Sequence, residues 1–240
     1  MIPLADLGVL GAALVLGVTH GFEPDHAAGI SALTGETDSR AHAAFVGASF
    51  AVGHALVVVA WVAVLSALGA SASAAPEVIG EAGSTLAGLV LGVVAVLLGT
   101  TGVRRLRGLP VGTEDATRGA DAGLGGRLLA TAQSYLHTHP HETRADYLRT
   151  GVVGSLFAAS PPVSMLAFVS AVVPTAGAEG AVGAVAAYTA ALTVTLAAVG
   201  GGVGSLVTFA RGRGTRAYAA FEIGASVVVV WFAASMVVGV

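Results

Sequence analysis

The chain has 240 residues, of which 55% are apolar and 10% charged, with a net charge of −3 and a mean hydropathy of +0.84. Such a composition excludes an ordinary soluble domain and describes a polytopic membrane protein. With no cysteine in the sequence, disulfides, thiol redox chemistry and thiolate metal sites are excluded as well.

A spanning helix needs about 20 apolar residues. Six stretches satisfy that in chain order: 7–33, 43–69, 82–103, 151–173, 181–210 and 217–240. The expected fold is therefore all-α, with six transmembrane helices. No Lys or Arg precedes Arg40, so the first run lacks the basic start of a signal peptide and is read as a span. All eleven basic residues are arginines: Arg40 in the first loop, seven between 104 and 149, and Arg211, Arg213 and Arg216 in the fifth. Glu77, Glu81 and Glu179 mark the second and fourth loops. The positive-inside rule then puts the odd loops in the cytoplasm and both termini outside a multi-pass cell-membrane protein. The arginines read as topology signals and imply no nucleic-acid partner.

Residues 1–103 form a first three-helix half, 104–149 a cytoplasmic loop, and 150–240 a second half. An odd number of spans per half inverts the second, as in transporters whose site lies where helices break near the midplane. Pro24 interrupts the first span, and Ser160, Pro161 and Pro162 interrupt the fourth.

The first span carries T-H-G-F-E-P-D-H, with His20, Glu23, Asp25 and His26 in an otherwise lipid-like run. Ionisable groups inside a bilayer cost roughly 2.5 kcal/mol or more each and mark ligand sites or pathways by default. On a regular helix His20, Glu23 and His26 share an arc of about 120° and Asp25 points elsewhere. Pro24 removes the hydrogen bond to the His20 carbonyl, so a distorted turn is expected there, able to bring Asp25 and a freed carbonyl toward one ligand. His54 is the strongly polar residue of the second span, expected about 3 Å from the midplane, with His20 near it and His26 about 9 Å toward the cytoplasm. Ser49 and Gly53 favour close helix approach. Imidazole and carboxylate without thiolate suit Ni2+, Co2+, Zn2+ or Fe2+. Binding needs neutral imidazole, so protons should compete with the metal.

The loop holds His137, His139 and His141, followed by Glu142, as a candidate accessory metal tract. Before it, Leu124, Leu128, Leu129, Ala132, Tyr135 and Leu136 recur with the spacing of an interfacial amphipathic helix. His42 reads as an interface residue, and Glu222 as a snorkelling group or a partner of Arg216. Thr189, Thr193 and Thr195 are expected to bond their own helix, and Gly200, Gly201, Gly202 and Gly204 to serve close packing. The spacing H-E-x-x-H and any Ser-His-Asp or Gly-x-Ser-x-Gly arrangement are absent, so the chain is not read as an enzyme.

His20-x4-Asp25-His26 resembles the signature of the nickel/cobalt transporter family, and S-F-A-V-G-H-A-L-V-V-V at 49–59 is similar to its next-helix Gly-His motif. The resemblance covers about 60 residues. It implies a permease that moves Ni2+ or Co2+ as its substrate, with no resident cofactor, in which His20, Asp25 and His26 bind or select the metal and His54 completes the site. The family's later acidic motifs are replaced here by L-F-A-A-S-P-P-V-S-M. Six spans instead of eight bring the chain nearer the six-helix urease-accessory and resistance-type permeases. Expected partners are the bilayer, the metal ion and a candidate cytoplasmic metallochaperone. Residues alone leave open a membrane accessory or metal-sensing protein and an intramembrane metalloenzyme.

Overall fold

The computed structural model describes residues 4–34, 39–67, 77–109, 111, 144–157 and 163–238. Among these residues the fold is all-helical: α1 Leu4–Gly21, α2 Pro24–Thr34, α3 Arg40–Ala67, α4 Glu77–Leu106, α5 Arg144–Phe157, α6 Val163–Gly212 and α7 Thr215–Val238. The local sequence explains several ends. Ser39 caps α3, its hydroxyl accepting from the His42 N–H at 3.1 Å. At the end of α4, Gly108 takes φ 69°, and the Leu109 N–H turns back to the Arg104 carbonyl at 2.9 Å. Arg104 and Arg105 occupy the last turn of that helix, where cations oppose its dipole.

Four stretches are long and apolar enough to cross a membrane: Arg40–Val64, Gly83–Leu106, Glu179–Gly212 and Thr215–Val238. A fifth arises if Leu7–Gly21 and Pro24–Ser31, bent by 53° against each other, count as one broken span. The expected fourth span, 151–173, is shared between the end of α5 and the start of α6, with 158–162 outside the described residues. Helix α6 continues from there to Gly177, which leaves helical geometry (φ 68°, ψ −173°) inside the expected fourth loop and divides α6 into two helical segments, the second holding the span Glu179–Gly212. Gly177 can take a positive φ that a side chain would oppose, so the backbone kinks there.

Helix α6 packs against both α1 and α3, α5 packs against α3, and α4 pairs with α7. The α3–α6 contact is a backbone approach. A Cβ at Gly47 would collide with the Leu196 carbonyl, and one at Gly200 with the Ala43 carbonyl. Phe50, Ile30, Leu91, Leu192 and Leu196 are buried between the helices, while Leu14, Val52, Leu56, Val194 and Trp231 face outward. An apolar exterior around an apolar core is what a bilayer solvent requires and water would not tolerate.

Two buried polar side chains of α7, Glu222 and Ser226, are satisfied by α4. Glu222 accepts from Arg105 Nε (3.0 Å) and Nη2 (3.3 Å), so its partner is on α4 and the expected pairing with Arg216 is replaced. The reason is geometric: α4 and α7 lie side by side, and Ser226 one turn further on reaches the Ala95 carbonyl at 2.8 Å. Thr189 and Thr193 bond carbonyls of their own helix, at 3.0 and 2.8 Å.

Candidate metal centre

Pro24 opens α2 instead of sitting inside a continuous helix, and as its first residue the missing N–H costs nothing. Glu23 lies in the break. Its carbonyl accepts from the N–H groups of His26 (3.1 Å) and Ala27 (3.4 Å), and its own N–H donates to the His20 carbonyl at 3.0 Å. The carbonyl that the sequence left free for a ligand is therefore occupied. Asp25 sits in the first turn of α2, where its Oδ1 accepts from the His26 N–H at 2.8 Å.

The 53° bend carries His26 back beside His20. On a straight helix six residues are separated by about 9 Å along the axis; here the two ring centroids are 4.7 Å apart. His54, from α3, closes the triangle, with centroids 4.7 Å from His26 and 5.3 Å from His20. His20 Nε2 and His54 Nε2 face each other at 3.1 Å. One donor nitrogen from each of the three histidines falls within 4.8 Å of the others, and Glu23, Asp25 and His26 form a second such group around the shared imidazole. His26 and His54 are buried, and the His20 side chain is 14% exposed.

The two carboxylates lie on the outer nitrogens. Glu23 Oε1 is 2.9 Å from His20 Nδ1, and Asp25 Oδ1 is 3.0 Å from His26 Nδ1, close but without hydrogen-bond alignment. Carboxylates placed on the nitrogen away from the ligand are the usual means by which metal-binding imidazoles are oriented and made more basic. Glu23 and Asp25 thus lie against His20 and His26, while the Nε2 atoms of His20 and His54 face each other.

Four buried side-chain nitrogen or oxygen atoms lack a hydrogen-bond partner among the described residues: His26 Nδ1, His26 Nε2, His54 Nδ1 and Tyr188 Oη. Three of the four belong to the histidine cluster, and the fourth to Tyr188, whose ring stacks on His20 at 6.0 Å with 28° between planes. Leaving a buried polar group unpaired costs about 1–3 kcal/mol, and native structures rarely concentrate several in one place.

The structure thus gathers His20, Glu23, Asp25, His26 and His54. His42 is apart from them, exposed at the start of α3 and twelve positions before His54. His137, His139, His141, Glu142 and the amphipathic segment before them lie outside the described residues. Sequence reading missed Tyr188 and Phe50. The phenol was legible as a polar group in the run A-V-A-A-Y-T-A-A-L, but only the folded contact of α1 with α6 gives it meaning. Phe50, one turn before His54, stacks against that imidazole (6.4 Å, 14°) and meets His26 edge-on (6.0 Å). No protein-family model, curated protein or solved structure matches the chain.

Proposed function

We propose that this protein is a membrane carrier for a divalent transition-metal cation, with Ni2+ or Co2+ as substrate, bound by His20, His26 and His54 at the break between α1 and α2. The observation that carries the reading is the buried His26 Nε2 without a partner, beside two imidazoles whose Nε2 atoms already face each other. A dication at their centre would satisfy all three.

Imidazole and carboxylate without thiolate suit Ni2+ and Co2+ as they suit Zn2+ and Fe2+, and the resemblance to the nickel/cobalt transporters favours the first two. Three imidazoles leave positions for water, as a cargo that must be released requires. We read the site as a carrier's and not an enzyme's, a reading supported by the absence of the H-E-x-x-H spacing from the sequence.

We read the molecule as six spans in two inverted halves, with the fourth span formed by α5 and the start of α6. Support comes from which helices pair. Exchanging the first, second and third spans with the fourth, fifth and sixth turns the α1–α6 contact into the α5–α3 contact and leaves α3–α6 and α4–α7 as they are. The Gly47 approach to Leu196 and the Gly200 approach to Ala43 exchange in the same way, Gly47 and Gly200 being 153 positions apart, as are Ala43 and Leu196. A site at the break of the first span, against the fifth, is where carriers of this construction hold substrate. The arginine distribution orients both termini to the outside.

The test is the nickel and cobalt content of cells expressing the wild-type chain or His26→Ala at matched membrane levels. A carrier changes the content of one or both metals several-fold, in the direction of its transport, and the variant restores the level of cells without the protein. Equal content in all three would contradict the proposal.

A further inference from the structure

We infer that Tyr188 is the contact of α6 with the cargo, its hydroxyl oxygen accepting a hydrogen bond from a water carried on the bound cation. The inference rests on the metal-site reading above and adds to it a residue from the other half of the chain. All three histidines come from α1, α2 and α3, so by themselves they tie the cation to the first half only. Tyr188 is fully buried, its Oη has no hydrogen-bond partner among the described residues, and its ring stacks on His20. A buried tyrosine normally finds a partner for its hydroxyl. Its register is also fixed: Gly17 of α1 sits directly on the Tyr188 carbonyl, with no room for a Cβ, and Gly21 lies against Thr195 of the same helix.

Three imidazole nitrogens leave at least one position on the cation for oxygen. A neutral phenol is a poor direct ligand, but its oxygen is a good acceptor for a metal-bound water, whose protons the dication makes more acidic. Such a contact exists only while α6 holds its place against α1. Movement of the second half against the first would remove the acceptor and loosen the water, coupling occupancy of the site to the rearrangement that a carrier needs.

The experiment is Co2+ titration of the detergent-purified full chain followed by its visible absorption, for wild type, His26→Ala and Tyr188→Phe. The phenylalanine keeps the ring and removes one oxygen. We expect wild type to bind saturably, His26→Ala to lose the band, and Tyr188→Phe to retain it with a Kd about tenfold higher, the usual scale for loss of a second-layer hydrogen bond. Binding by Tyr188→Phe with wild-type Kd and spectrum, while His26→Ala fails, overturns the role of Tyr188 and leaves the metal site standing. Absence of saturable binding in wild type overturns both. Should Tyr188→Phe not fold, ultraviolet difference spectra of the wild type decide the matter: Co2+ must perturb a tyrosine, and a flat tyrosine region overturns the inference.

Discussion

His26 shows how much one side chain can depend on its neighbours. Its Nδ1 lies against Asp25, its backbone N–H is held by the same carboxylate, and its Nε2 is left for a ligand. Asp25→Asn should therefore weaken Ni2+ binding by about tenfold through lost orientation and basicity. His26→Ala, which removes a ligand, should weaken it well beyond that; equilibrium dialysis with radioactive nickel compares them. Metal binding should also respond to pH with a definite sign. Each imidazole must be neutral to bind, so protons compete with the metal. Affinity is predicted to fall as pH is lowered. Calorimetry in buffers of different ionisation enthalpy checks this through the protons released on binding. Most of these residues were legible in the sequence, because an ionisable group in a lipid-like run stands out. What could not be read was the division of labour. By helical spacing Asp25 pointed elsewhere and the His20 carbonyl was free, whereas in the folded turn both carboxylates lie against imidazoles and the carbonyl accepts from the Glu23 N–H.

At the scale of elements, the break between α1 and α2 makes the site. A continuous helix over 4–34 would hold His26 about 9 Å further along the axis than His20, too far for rings now 4.7 Å apart. Pro24→Ala permits that continuity. We expect it to weaken Ni2+ binding at least tenfold while leaving the protein as stable as wild type or more so, measured by dialysis and by thermal unfolding in detergent. Unchanged binding would mean that Glu23 and Asp25, and not the proline, hold the bend. Hydropathy found the windows that became α3, α4 and α7, and the proline announced the break. Hydropathy also separated the windows ending at 173 and starting at 181, between which Gly177 breaks α6. What it could not show is the conformation that makes the kink, because a positive-φ glycine leaves no mark on apolar content.

The whole molecule is two packing systems joined through α2. Helices α1, α3, α5 and α6 surround the histidines, and α4 pairs with α7 beside them. The second system is tied by Arg105 and Glu222, with the glutamate only 7% exposed. Removing one partner of a buried ion pair leaves the other uncompensated and costs about 3–5 kcal/mol. Glu222→Ala should accordingly lower the unfolding temperature of the detergent-solubilised protein, and Arg105→Ala should do the same. Neither should change the Kd for Ni2+ of the folded fraction, since the pair stands apart from the histidine cluster; a large loss of affinity would make Glu222 part of the path. This pairing was hidden in the sequence because the two residues are 117 positions apart, and local charge offered Arg216 instead.

The central claim, that the three-histidine cluster carries a dication across the membrane, is tested most directly by radiotracer nickel and cobalt flux in proteoliposomes. Wild type is compared with His26→Ala under a pH gradient and a membrane potential of either sign. The account predicts saturable flux of at least one of the two metals by wild type and flux at the level of empty vesicles for the variant, with circular dichroism showing both folded. Wild-type protein that binds metal but moves neither ion under any gradient would contradict it, and would identify the cluster as a sensor site.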